Sequence, residues 1–153
     1  MVDDATEIRN LLYRYAELID AGDFAALGAL FADALLTAEG TPLELRGAEA
    51  ITRYYERTTR RYPETGTPLT RHLVTNAIVE VDGAAGTAQA RSCYTVLQRT
   101  ERLPLQPIIT GRYHDGFERS EGRWRFRSRH FFVDLVGELG EHLLFDLAEV
   151  PRA

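Results

Sequence analysis

The sequence predicts an α+β domain in which three N-terminal helices pack on a curved, mostly antiparallel sheet, making a cone with a small-molecule pocket between the two layers. Three observations predict it. Apolar residues recur at helical spacing in the first sixty or so positions and at twofold spacing from Thr70 onward. The strand-like half is interrupted by connections short enough for hairpins, so its strands form a meander. Helices come first and strands afterwards, which argues against alternating βαβ units.

Each element has its own signal. Asp3 or Asp4 is placed to cap a first helix whose Ile8, Leu11, Leu12, Tyr15 and Ile19 form an apolar stripe. That helix is expected to run to about Ala21, where Gly22 breaks it. Asp23 is placed to cap a second, short helix that buries Phe24, Leu27, Leu30 and Phe31. Residues 34–46 read as a small hairpin turning at Glu39-Gly40-Thr41-Pro42. Gly47 opens a third helix carrying Ile51, Tyr54, Tyr55 and Thr58 on one face, and its end is expected near Tyr62-Pro63 because proline disfavours a helical residue before it. Four long strands follow at about 70–81, 87–100, 107–119 and 122–136. No repeat and no shift in composition marks a second unit, so residues 1–153 are expected to form a single domain.

Simple turn lengths give a first register. The short Asp82-Gly83-Ala84-Ala85-Gly86 connection sets His72 opposite Val96, Val74 opposite Tyr94 and Asn76 opposite Ser92. A two-residue turn between 119 and 122 sets Phe117 opposite Trp124, Asp115 opposite Phe126, Tyr113 opposite Ser128 and Gly111 opposite His130. The inner face then mixes apolar residues with His, Asn, Ser, Tyr and Asp. A plain structural sheet avoids that mixture, because each buried polar group needs a partner.

Composition excludes several functions. The formal net charge is −5, and the densest basic stretch, Arg123, Arg125, Arg127 and Arg129, alternates with Trp124, Phe126, Ser128 and His130 as the outer face of one strand. A nucleic-acid groove calls for a basic domain. Cys93 is the one cysteine, which rules out an intrachain disulfide and fits a reducing compartment. Neither a signal segment nor a membrane-spanning apolar run is read, so a cytoplasmic location without nucleic-acid or membrane partners is expected. The four histidines lack metal-ligand spacing, and there is no phosphate-cradling glycine loop or nucleophile elbow. No metal and no cofactor are expected.

The order of elements and several local sequences resemble the NTF2-like superfamily, especially its SnoaL-like branch, with which scytalone dehydratases and bile-acid dehydratases are grouped. The resemblance is carried by Tyr15-Ala16-Glu17-Leu18-Ile19-Asp20-Ala21-Gly22-Asp23-Phe24 leading to Leu30-Phe31-Ala32-Asp33, and by Gly47-Ala48-Glu49-Ala50-Ile51. Arg71-His72-Leu73-Val74-Thr75-Asn76, Gly111-Arg112-Tyr113-His114-Asp115 and Gly122-Arg123-Trp124-Arg125-Phe126 extend it over nearly the whole chain. It implies the cone-shaped fold. It implies the reaction only loosely, because the superfamily hosts dehydratases, isomerases, cyclases, epoxide hydrolases, non-catalytic dioxygenase subunits and transport factors.

In dehydratases of this resemblance an aspartate at the end of the first helix orients a proton-moving histidine on the sheet, and Asp20 and His72 match those positions. On a helical wheel Tyr13, Ala16 and Asp20 form a strip beside the apolar stripe, which aims Asp20 at the edge of the interior. A histidine titrates near neutrality, and a neighbouring carboxylate fixes its tautomer. The same residues also admit a structural reading, Asp20 as a solvated turn residue and His72 as a satisfied core histidine. Tyr13, Tyr54, Asn76, Tyr94 and Tyr113 are candidates to hold a substrate. His130 is a candidate for the second proton-handling histidine of the resemblance. Asp115 reads as a structural partner for a tyrosine or arginine, His114 as outward-facing, and His142 as part of the tail.

The function these residues imply is that of a cofactor-independent lyase or isomerase, dehydratase- or cyclase-like, acting on a small apolar oxygenated molecule by His/Asp proton transfer. The alternative is a non-catalytic ligand-binding protein or a structural subunit resembling the β-subunits of ring-hydroxylating dioxygenases. On the outer face, Leu73, Thr75, Ala77, Val79 and Val81 beside Cys93, Thr95 and Leu97 make an apolar stripe larger than monomers usually expose. A homo-dimer or homo-trimer through that face is expected, with the Arg123 to Arg129 row pairing at its rim.

Overall fold

A computed structural model describes residues 1–153. Three helices, α1 (Asp4–Ala21), α2 (Phe24–Leu30) and α3 (Ala48–Thr58), lie against a sheet of six strands. The strands are β1 (Leu35–Ala38), β2 (Glu44–Arg46), β3 (Thr70–Asp82), β4 (Thr87–Gln98), β5 (Gln106–Ser120) and β6 (Arg123–Val136). Their order across the sheet is β2-β1-β6-β5-β4-β3, and only the β1/β6 pair is parallel. The fold is α+β with a mixed sheet, as the sequence predicts.

The helix ends follow local chemistry. Asp3 accepts a bond from the Thr6 N–H at 3.0 Å and caps α1, and Asp23 accepts one from the Ala26 N–H at 3.0 Å and caps α2. Asp4 turns to the sheet instead, where its carboxylate accepts from the Trp124 indole N–H at 3.1 Å and pairs with Arg119. Gly22 closes α1 in the left-handed region, its N–H bonding the Ile19 carbonyl. α3 stops at Thr58, four residues short of the predicted end, because Thr59 leaves the helix to bridge Leu143 in the C-terminal segment. Ile8, Leu12 and Tyr15 of α1 pack with Phe31, Ile51, Phe117 and Phe126 in one core between the layers.

The sheet departs from the simple registers at bulges. In β3 the predicted pairs His72/Val96 and Val74/Tyr94 form, but an extra residue between Thr75 and Ile78 breaks the ladder. Asn76 sits there with φ 54°, a left-handed conformation that asparagine tolerates better than most residues. It is exposed and does not pair with Ser92. Downstream the faces exchange: Ala77 and Val79 pack against the core while Ile78 stands 50% exposed. The predicted outer stripe is therefore wrong beyond Thr75.

The β5/β6 hairpin turns at Glu121 and Gly122, whose φ values of 51° and 77° fit a type I′ turn, and so pairs Ser120 with Arg123. Phe117 consequently faces Phe126, not Trp124. Arg127 is then an extra residue, and beyond it the parity of β6 inverts. Arg129 turns inward and is fully buried, whereas His130 pairs with His114 and turns outward. Both reverse the predicted arrangement: Arg129 is no rim residue and His130 does not reach the inner face. Asp115 meets Arg129 in two bonds of 2.7 and 2.9 Å.

Candidate functional site

α1 ends and β3 begins side by side, and that junction builds the site. Asp20, one residue before the last of α1, accepts three bonds from β3: the Thr70 hydroxyl at 2.8 Å, the His72 backbone N–H at 2.8 Å and His72 Nδ1 at 2.6 Å. Both side chains are withdrawn from solvent, His72 at 4% and Asp20 at 14% exposure. An ionised carboxylate can only accept, so the proton of the imidazole belongs on Nδ1 and Nε2 is left as the basic nitrogen. Three donors converging on one carboxylate also hold the ring against rotation.

His72 lines a cavity of about 180 Å³ whose walls are mostly apolar. Tyr15, Tyr54, Tyr94 and Tyr113 contribute to its wall, with Ile109 and Phe131 from the sheet. A cavity of about 150 Å³ accommodates benzene, so this one suits a monocyclic or compact bicyclic molecule. A wider depression of about 730 Å³ lies along the sheet between Glu80, Arg91, His114 and Arg127. It is polar-lined and contains neither Asp20 nor His72, so the apolar cavity with its few converging polar groups is the better site.

The tyrosines differ in what their hydroxyls can do. Tyr15 and Tyr55 share a hydroxyl–hydroxyl bond of 3.1 Å. The Tyr94 hydroxyl donates to the Phe132 carbonyl at 2.9 Å, and its ring stacks on Tyr113 at 4.5 Å. Tyr94 is thus a wall whose donor is already committed. Burial pushes the phenols of Tyr15, Tyr55 and Tyr113 up, so they act as neutral hydroxyls. Beneath them the Arg129 guanidinium lies 3.8 Å from the Tyr113 ring centre and 4.5 Å from that of Tyr15.

Gly111 makes the Tyr94 contact possible. A Cβ there would collide with the Phe132 carbonyl oxygen and the Tyr94 hydroxyl. Gly111→Ala is expected to cost about 1–3 kcal/mol by overpacking, read as a lower melting temperature with the Tyr94 wall displaced. An unchanged melting curve would show that the strands yield freely at this point.

Of the residues predicted from sequence, the structure brings Asp20, His72, Tyr54, Tyr94 and Tyr113 to this region and leaves three elsewhere. Tyr13 is 45% exposed, because it lies one step further round α1 than Asp20 and passes beyond the buried face. Asn76 is exposed on its bulge. His130 is held outside, Nδ1 2.6 Å from the Thr37 hydroxyl and Nε2 2.9 Å from Glu39.

Tyr15 and His142 are the residues that sequence reasoning missed. Tyr15 was legible as core but not as cavity wall. His142, read as tail, is 5% exposed and lines the cavity with its ring 6.2 Å from that of His72. Burial first, and then the nearby His72, holds its imidazole down to about 3, so it is neutral at ordinary pH.

No three His, Cys, Asp or Glu side chains are gathered so as to hold a metal ion, and no helix is long and apolar enough to cross a membrane. Comparison with known proteins agrees with the fold. The family described as SnoaL-like domain matches residues 1–130. An NTF2-like protein with a cystatin-like fold from Novosphingobium aromaticivorans is 27% identical, covering 85% of this chain and 81% of that one at a TM-score of 0.69. A Mycobacterium tuberculosis protein of unknown function is also 27% identical, covering 85% and 71% at 0.68. A candidate scytalone dehydratase from N. aromaticivorans shares the fold at 20% identity, covering 87% and 91% at 0.64. No curated protein matches the chain.

Proposed function

The chain belongs to the SnoaL-like domain family, and from that premise we propose that it is a cofactor-independent lyase or isomerase acting on a compact, largely apolar carbonyl compound. The observation that carries the reading is the Asp20–His72 pair placed against an apolar cavity. His72 Nε2 takes a proton from the carbon beside the carbonyl, and Asp20 stabilises the imidazolium that forms. The electron pair moves onto the carbonyl oxygen as an enolate. As the enolate collapses back to the carbonyl, the proton returns either to the γ-carbon of a conjugated dienolate, which moves a double bond and isomerises the substrate, or to a β-hydroxyl, whose C–O bond breaks as the α,β-double bond forms and water departs.

The proton-abstraction half of this chemistry can be tested without the natural substrate. 1-Tetralone is a compact bicyclic ketone with exchangeable hydrogens beside its carbonyl, and NMR in D₂O follows their loss. The protein is expected to accelerate that exchange above buffer. Failure with 1-tetralone and with a panel of other compact cyclic ketones would favour a ligand-binding protein without catalysis.

The same proposal includes self-association through the outer face of the sheet. Leu73 and Ile78 are 41% and 50% exposed there, with half-buried Cys93 and Leu97 beside them. A second copy covering this face would remove apolar surface that a monomer leaves in water. Light scattering at micromolar concentration is expected to report a dimer or trimer, and the Leu73→Arg/Ile78→Arg double variant a smaller species. A stable wild-type monomer would refute this part.

A further inference from the structure

The C-terminal segment after β6 lines the cavity through Leu139, His142 and Leu143 and is fastened there by backbone. The Arg60 N–H donates to the His142 carbonyl at 2.8 Å, and the Leu144 N–H to the Thr58 carbonyl at 2.9 Å. On the preceding residue, the Glu141 carbonyl accepts from the Tyr62 hydroxyl at 2.6 Å and from Gln98 Nε2 at 3.0 Å. His142 is therefore presented by a fixed strap and not by a free tail. Its Nδ1 is buried and meets no hydrogen-bond partner in the chain. A nitrogen sealed in this way is out of a ligand's reach as well, so Nδ1 keeps the lone pair and the ring proton belongs on Nε2, the nitrogen left to meet a ligand. Its ring lines the same cavity as His72, and no carboxylate bonds to it, in contrast to the Asp20-bound His72.

We propose that His142 is a second catalytic residue, an imidazole whose Nε2–H donates to the carbonyl oxygen of the substrate while His72 removes the adjacent proton. This rests on the proton-transfer reading above and deepens it by dividing the work between two unlike histidines. His72, backed by a carboxylate, gains and loses a proton. His142, in an apolar wall beside another imidazole, stays uncharged and serves as a hydrogen-bond donor to the oxygen on which charge develops. A neutral imidazole is a suitable electrophile for an enolate, because it stabilises the oxygen without surrendering its proton. The two adjoining rings then serve a single carbonyl and its α-carbon from the same side of the cavity, which gives the substrate class as an enolisable ketone or aldehyde with its oxygen toward the C-terminal strap.

1-Naphthol, a flat phenol that resembles the enol of 1-tetralone, probes the oxygen site independently of turnover. His142→Leu is expected to weaken 1-naphthol binding about fivefold, the scale of one lost hydrogen bond, and to slow 1-tetralone exchange about 100-fold. His142→Gln, whose amide N–H can donate, is expected to recover most of both. Thermal melting confirms that each variant is folded. Equal 1-naphthol affinity in the leucine variant, failure of glutamine to recover binding, or no binding of 1-naphthol by the wild type would each overturn the assignment. Absence of ketone exchange in the wild type with 1-naphthol bound through His142 would defeat the catalytic reading and leave the oxygen site standing.

Discussion

Replacing His72 with alanine is expected to lower 1-tetralone exchange by about 10²–10⁴-fold, the usual contribution of a positioned acid–base group, while the melting temperature stays within a few degrees. The size follows from the geometry. Only His72 combines a basic nitrogen, a lining position in the cavity and a carboxylate fixed behind it at 2.6 Å. The tyrosines of the wall are neutral donors, and His142 has no carboxylate partner, so neither can take over proton abstraction. Asp20→Asn tests the other half of the pair. An asparagine fits the space but brings an NH₂ group that can donate to Nδ1, and so favours the tautomer with its basic nitrogen turned away from the cavity. Its rate is expected to fall in the same direction, and loss of the Asp20 carboxylate also removes the charge that stabilises the imidazolium. Wild-type exchange in His72→Ala would end the proposed mechanism.

The elements that bring Asp20 to His72 were legible because they depend on short-range rules. Asp3, Gly22 and Asp23 set the ends of two helices through capping and left-handed backbone, and those rules operate within a few residues. The twofold pattern located four strands to within two residues at most ends. The register near His72 was also legible: the actual turn at 82–87 differs by one residue from the assumed one, and the extra residue near Asn76 compensates for it.

What stayed hidden lies beyond bulges or outside any period. Alternation assigns faces only while the ladder is unbroken, and a single extra residue exchanges every side chain after it. That is how Arg129 came inside, His130 went outside and Val79 changed faces. The signals were present in kind: Asn76, Gly111 and Gly116 sit within strands where such residues often mark a bulge. They do not say which strand carries the extra residue. His142 offers no comparable signal, because the segment that holds it has neither helical nor strand period and is placed by long-range bonds to Thr58, Arg60, Tyr62 and Gln98.

Asp115→Ala is expected to destabilise the fold by about 3–5 kcal/mol, the scale for stripping one partner from a buried ion pair, or roughly 6–20 °C in melting temperature for a chain of this size. Both side chains of the pair have no solvent exposure. Burial pushes the Asp115 carboxyl up, while Arg129 opposite pulls it down through two direct bonds. Arginine keeps its charge in proteins, and Arg129 Nη1 already lacks a partner. Removing Asp115 therefore leaves a buried, uncompensated cation among the rings of Tyr15, Tyr113 and Phe126. The aromatic faces offset only part of that cost. A compensating change separates the charge effect from simple loss of volume: Asp115→Leu/Arg129→Met removes both charges and keeps the space filled, so it should be more stable than either single variant. Because Arg129 supports the rings of Tyr15 and Tyr113 from behind, the single variants should also weaken 1-naphthol binding, and the double variant should restore part of it. A melting temperature within two or three degrees of wild type in Asp115→Ala, or strict additivity in the double variant, would show that the pair is not a coupled unit beneath the cavity wall.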